Sequence, residues 1–255
     1  MNFKLKIALA CVPLSLVAAC GGGSDISDRL DLADPAVRFV NASQTAGNLT
    51  LNAAGVARAD ATNAPYPFAS NYYFGISTSA TDWTITSAVG NAPVGTKVNI
   101  DPQRGTRYTL VAMDSAPGVT NLYRVDDPYN VPVGSSSAHL RVVNASVTAG
   151  TVDVYMTTGT NADISTAAPK IAAIAINKAG PASGTDSVDI PGDTTYQVRV
   201  FATGQRTNPL FSGQLRIEKG RDVLIVTVPA ATAPGGISAL VKVEGEGPAA
   251  PIPTL

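Results

Sequence analysis

The chain has 255 residues, 45% of them apolar, with 18 basic against 19 acidic residues and a formal charge of −1. That apolar content can fill real cores and excludes wholesale disorder. Sparse, balanced charge excludes nucleic-acid binding, which needs a basic face to neutralise phosphates.

The first twenty residues read as an export signal. Lys4 and Lys6 form a basic start, and Ile7–Ala18 is an apolar run too short for a permanent membrane span. Leu16-Val17-Ala18-Ala19-Cys20 follows. Small residues before a cysteine at the cleavage point resemble a bacterial lipobox, which implies a signal peptide over 1–19 and an acylated Cys20. Two or three acyl chains would anchor the protein in a lipid bilayer, since each buried CH₂ contributes about 0.8 kcal/mol and one chain alone is marginal. Gly21, by the sorting rules of such lipoproteins, favours the outer membrane over the inner. The periplasmic or surface side stays open. Loss of Lys4 and Lys6 would leave 16 basic against 19 acidic residues, a mild acidity that suits solubility. Cys11 would leave with the leader, so no disulfide is expected in the mature chain.

Residues 20–35 form a tether, Gly-rich and then acidic, with Asp25, Asp28, Asp31 and Asp34. Beyond it the chain repeats itself. Val37–Leu51 (VRFVNASQTAGNLTL) and Leu140–Val154 (LRVVNASVTAGTVDV) share eight of fifteen positions. A spacing of about a hundred residues suits a domain rather than a solenoid unit. Two modules are therefore expected, over 36–133 and 137–246.

The first module predicts seven short strands: 37–42, 48–53, 71–79, 83–87, 96–100, 108–113 and 119–125. Turns marked by Gly, Pro and Asn separate them, and no stretch holds a helical period. The expectation is all-β, with two tandem antiparallel β-sandwiches. In the second module Tyr196–Ala202 is matched to Tyr73–Ser79, Leu215–Gly220 to Val98–Gly105, Asp222–Val228 to Arg107–Met113, and Ile237–Glu244 to Val119–Asp126. Lys170–Ile176 and Asp186–Ile190 have no evident counterpart. The linker Asp126–Ser137 is short, so end-to-end contact is expected. Residues 247–255, with Pro248, Pro251 and Pro253, read as a disordered tail.

The openings VRFVNAS and LRVVNAS resemble those of the DUF4397 domain. So do Val152-Asp153-Val154-Tyr155 and Gly105-Thr106-Arg107-Tyr108-Thr109-Leu110-Val111. The first copy departs at Leu49-Thr50-Leu51, and the second has Val223 in place of the tyrosine. The resemblance implies a sandwich of Ig-like or transthyretin-like kind in an envelope or secreted setting. It implies no activity and no catalytic residue.

Few residues suggest chemistry. Tyr66, Phe68, Tyr72, Tyr73, Phe74 and Trp83 gather in eighteen positions. Tyr66, Phe68, Tyr72 and Trp83 are candidate stacking rings for a glycan, provided at least two are exposed and coplanar. His139 is the one histidine, matched by Ala36 in the first copy, and reads as exposed at a linker–strand junction. A serine triad needs a base, and no GxSxG elbow occurs. Asp126/Asp127 and Glu244/Glu246 are weak calcium candidates. Arg38 and Arg141 hold matching places, as an anion site, in a shared structural ion pair, or with their stems packed on the sheet. Asn41/Ser43 and Asn144/Ser146 are expected to tie a strand end into its turn. The reading is a non-enzymatic, membrane-anchored envelope lipoprotein serving binding, display or scaffolding, with no cofactor, and with an envelope protein or glycan as partner. A carbohydrate-binding protein is the alternative and a hydrolase the residual one.

Overall fold

A computed structural model describes residues 33–128, 135–230, 232, 233, 236–244 and 248–255. The signal segment, Cys20, the tether as far as residue 32, linker residues 129–134 and Glu246 lie outside the described residues. The fold is all-β, built from four open sheets. The first sandwich contains β1 (Ala36–Asn41), β2 (Leu49–Ala53), β3 (Val56–Ala57), β4 (Phe68–Ala69), β5 (Phe74–Gly75), β6 (Thr81–Ser87), β7 (Pro93–Ile100), β8 (Thr106–Ala116) and β9 (Val119–Pro128). One of its sheets runs β4-β1-β8-β9, with β5 also on β1, and the other runs β3-β2-β6-β7.

The second sandwich contains β10 (Ser137–Asn144), β11 (Val152–Thr158), β12 (Ile171–Ile174), β13 (Lys178–Gly180), β14 (Val188–Pro191), β15 (Thr194–Ala202), β16 (Phe211–Ile217), β17 (Asp222–Pro229), β18 (Ile237–Val243) and β19 (Ala250–Pro251). Its sheets run β13-β10-β17-β18-β19, with β14 also on β10, and β12-β11-β15-β16. The two sandwiches share one strand plan.

Pairing is antiparallel except at one place in each sandwich. β1 lies parallel to β8, and β10 lies parallel to β17. A parallel neighbour needs a long crossover. Here the facing sheet supplies it, so no local pattern announces the pairing. The strand plan also corrects the internal match. β15 occupies the place of β6, so Tyr196–Ala202 corresponds to the strand holding Trp83, not to Tyr73–Ser79. β12 takes the place of β3, and β13 and β14 take the places of β4 and β5. The segments without evident counterparts therefore have them. They were hidden because two-residue strands leave no periodicity.

Each sandwich has its own core. Val37, Phe39, Leu51, Trp83, Ile85 and Leu110 fill the first, and Leu140, Val142, Val154, Val198, Ile217 and Ile225 fill the second. The repeated NAS-TAG stretch works as its residue types imply. The Asn41 amide donates to the carbonyls of Gly47, Ala64 and Pro65 at 2.8–3.1 Å. Asn144 donates to Gly150 and Ile174 at 2.8 and 3.0 Å. The Ser43 and Ser146 N–H groups donate back to the asparagine side chains. Gly47 and Gly150 hold φ of 65° and 66°, a region that favours glycine, which is why both copies carry it.

The C-terminal segment is not a disordered tail. Ile252 is buried in the second core, and its N–H donates to the Ala239 carbonyl at 2.8 Å. On its other side the segment reaches β16, where the Gln214 N–H donates to Pro253 and the Leu255 N–H to Ser212. Residues 250–255 thus bridge both sheets of the sandwich. A Cβ at Gly213 would lie 2.5 Å from the Pro253 carbonyl oxygen, so only glycine admits this closure. Ile252→Ala is expected to cost about 2–5 kcal/mol in urea denaturation. A loss under 0.5 kcal/mol would mean the segment is not part of the core.

The sandwiches meet face to face, not end to end. Val40, Ala42, Val111, Met113 and Val125 of the first pack against Val143, Ala145, Leu224, Val226, Val228 and Leu240 of the second in one buried cluster. Strand period places these on the faces turned away from the two cores.

Candidate functional site

The candidate stacking rings do not form a platform. Trp83 is 1% exposed, in the first core, 6.1 Å from the Phe74 ring. It is unavailable to any ligand. Tyr66 is half-buried, and its hydroxyl donates to the Pro229 carbonyl of the second sandwich. Burial, with Asp114 nearby, pushes that hydroxyl up to about 12. Phe68 is half-buried and Tyr72 is 71% exposed, and both line a cleft with Asp60 and Asn71. One exposed ring does not meet the requirement for two. Alternation along a strand sends neighbouring aromatics to opposite sides, and burial of an indole outweighs what a solvent-facing ring gains.

The residues that do converge are charged, and they lie between the sandwiches. The face whose far half is apolar continues into Arg38, Arg107 and Asp127 on one side and His139, Arg141, Asp222 and Lys242 on the other. All seven are buried. Glu244, just past β18, joins them through an ion pair with Arg107. The period-2 rule puts each on the same strand face as the apolar contacts.

Arg141 is 2% exposed and holds the Asp127 carboxylate at 3.3 and 3.4 Å. It also donates to the carbonyls of Pro181 and Ala182 at 2.7 and 3.0 Å, and to that of Thr185. Arg38 donates to Thr109 at 3.2 Å and lies 4.5 Å over the Tyr73 ring, with Arg107 at 5.0 Å from the same ring. A desolvated guanidinium gains more from a ring face than an exposed one. The matching arginines therefore differ in role. Arg141 takes the structural ion pair, and Arg38 takes a hydroxyl and a ring.

Polar atoms here without a hydrogen-bond partner include the Tyr73 hydroxyl, Asp222 Oδ2, Arg38 Nε and Glu244 Oε2. Burial pushes the Tyr73 hydroxyl well above its ordinary value. Burial first, then the Asp127 carboxylate, pushes the Asp222 carboxyl up to about 7, against the lowering pull of Arg38. Around the rim, Asn177 donates to the Tyr123 hydroxyl at 3.2 Å, and Ser183 accepts from the Asp126 N–H at 2.8 Å. Both bonds cross between sandwiches.

His139 is not exposed at a junction. It is 8% exposed, on β10, with Nε2 2.9 Å from Asp189. Its strand lies between β14 and β17, which covers it on both sides. The calcium candidates are engaged too. Asp126 pairs with Arg124 at 2.8 Å, Asp127 with Arg141, and Glu244 with Arg107. Among the described residues no group of three or more His, Cys, Asp or Glu is placed to hold a metal ion. The sequence pointed to Arg38 and Arg141 through the repeat. Asp222 and Lys242 carry one signal in the sequence, a charged residue at an alternate place in an otherwise apolar strand, and Tyr73 carries none beyond its place in the aromatic group.

The comparison with curated proteins found no match. A solved structure titled as alpha-glucan recognition by family 41 carbohydrate-binding modules from streptococcal virulence factors aligns over 76% of this chain and 93% of its own. The identity is 10% and the TM-score 0.25, a likeness too slight to bear on fold or ligand. The family match is of another kind. It runs over residues 35–155, spanning the first sandwich and reaching through β10 into β11. Residues 35–155, which carry both strand openings, match the model of the DUF4397 family, a domain of unknown function.

Proposed function

We propose that the protein is a non-enzymatic envelope lipoprotein, anchored through acylated Cys20, whose sandwiches act together as one rigid body for binding, display or scaffolding. The observation that carries the rigid-body reading is the shared buried cluster, in which Val40, Val111 and Met113 pack on Val143, Leu224 and Val226. A sheet face so apolar would be an aggregation patch if uncovered. Each sandwich covers the other, so the pair behaves as one unit at the end of a tether. Among the described residues no helix is long and apolar enough to cross a membrane. In this reading the acyl chains on Cys20 hold the protein at the bilayer, with Gly21 directing it to the outer membrane. An envelope protein or glycan is the partner class.

Cys20→Ser tests the anchor. The substituted protein is expected in the soluble fraction, while the unaltered chain sediments with membranes and incorporates labelled palmitate. A Cys20→Ser protein that still sedimented would overturn the anchoring. The glycan reading keeps Tyr72 alone as an exposed ring and is not favoured.

A further inference from the structure

The polar half of the face between the sandwiches has features that packing alone does not require. Asp222 opens β17 on the side turned to the first sandwich and is 3% exposed. One of its carboxyl oxygens has no donor. Charged and titratable groups meet it from every packed element. β1 brings Arg38, the segment before β5 brings Tyr73, β8 brings Arg107 and β9 brings Asp127. β10 brings His139, whose Cα is in register with that of Asp222, and Arg141, while β18 brings Lys242 and, just beyond, Glu244. Asp127 is committed to Arg141 and Glu244 to Arg107. Asp222 is a third carboxylate in the same dry space.

We propose that this cluster is a pH-sensitive latch, in which the sandwiches are held tightest when Asp222 carries a proton and separate more readily once it ionises. Separation would return Asp222 to water on the outer face of its sheet, where its ordinary value is 3.8. In the closed face burial pushes it up to about 7. The sign follows from proton counting. Between these values the closed form binds the proton and the open form does not, so closure weakens as pH rises through this window and levels off above it. Asp82, held low by its bonds to Lys97 and Asn99, and Asp163, held low by Ser165, are bonded within single sandwiches outside the shared face, so separation leaves their protons unchanged. The latch works between about pH 5 and pH 8.

Cysteine trapping reads the opening directly. The probe is Ala145→Cys, at a fully buried place in the face between sandwiches, with Cys11 and Cys20 replaced by Ser in the full chain. Ala239→Cys, fully buried inside the second core, reports unfolding of that sandwich instead. Rates of modification by a methanethiosulfonate, divided by those of a free thiol at the same pH, give the opening constants. The normalised rate at residue 145 is expected to rise roughly tenfold to a hundredfold from pH 5 to pH 8. The rate at residue 239 should not follow it. Asp222→Asn should abolish the rise, and His139→Gln should leave it. An unchanged rate at residue 145 would overturn the latch, as would a parallel rise at both probes or a response that follows His139 instead of Asp222. The comparison at two pH values decides the matter alone, so a variant that failed to fold would not shelter the proposal.

Discussion

Arg141→Ala is expected to destabilise the protein by about 3–5 kcal/mol at neutral pH, the cost of leaving a buried carboxylate without its cation. Asp127 loses its cation and keeps only long contacts with Ser187 at 3.5 Å, and the carbonyls of Pro181, Ala182 and Thr185 each lose a charged donor. Neither charge has an easy route to water, since the side chains of Arg141 and Asp127 are 2% and 9% exposed. The remaining carboxylate would also sit beside Asp222, which already carries the burden of burial. Arg141→Met restores the volume but not the donors, so it should remain almost as destabilised. The double variant Arg141→Met/Asp127→Asn should recover much of the loss, because it leaves no unpaired charge. Urea denaturation of the four proteins measures this. If Arg141→Ala lost less than 1 kcal/mol, the pair would be solvated, and the closed face would be wrong.

Trp83→Ala should cost a similar amount, about 3–5 kcal/mol, for a different reason. The indole is the largest fully buried side chain of the first sandwich, packed among Phe74, Leu51 and Ile85. Its removal leaves a cavity that three sheet-bound neighbours cannot fill. Trp83→Phe should cost less than the alanine. It keeps most of the ring and removes an indole N–H that has no hydrogen-bond partner. A thermal melt distinguishes this structural role from a ligand-facing one. A ligand-facing tryptophan could be removed with little change in melting temperature, and that result would reopen the glycan reading.

The contrast between Arg141 and Trp83 shows how far residue types alone can be trusted. The repeat at Val37 and Leu140, the turn glycines and the Asn–Ser pairs were all legible because they act within a few residues of themselves. A glycine at φ of 65° and an asparagine bonded to the turn six residues on need only local geometry. The exposure of Trp83 was not legible. Strand alternation says that a side chain faces one side or the other, but the choice between core and solvent depends on which sheet covers it. The same ambiguity hid the Asp222 cluster. β17 is buried on both faces along its whole length, and a run such as Asp222–Pro229 reads equally well as the inner strand of a single sandwich.

By itself the sequence determined that the chain is all-β, that its described part carries two versions of one strand opening, and that short-range polar residues close each turn. Local bonding and period-2 burial are enough for that. Only the tertiary structure decided that β1 and β10 take parallel partners, that the last residues close the second core, and that the sandwiches stack face to face. Each of those joins residues tens of positions apart. The energy that selects them comes from burying whole sheet faces together with their charges, which no short window of sequence contains.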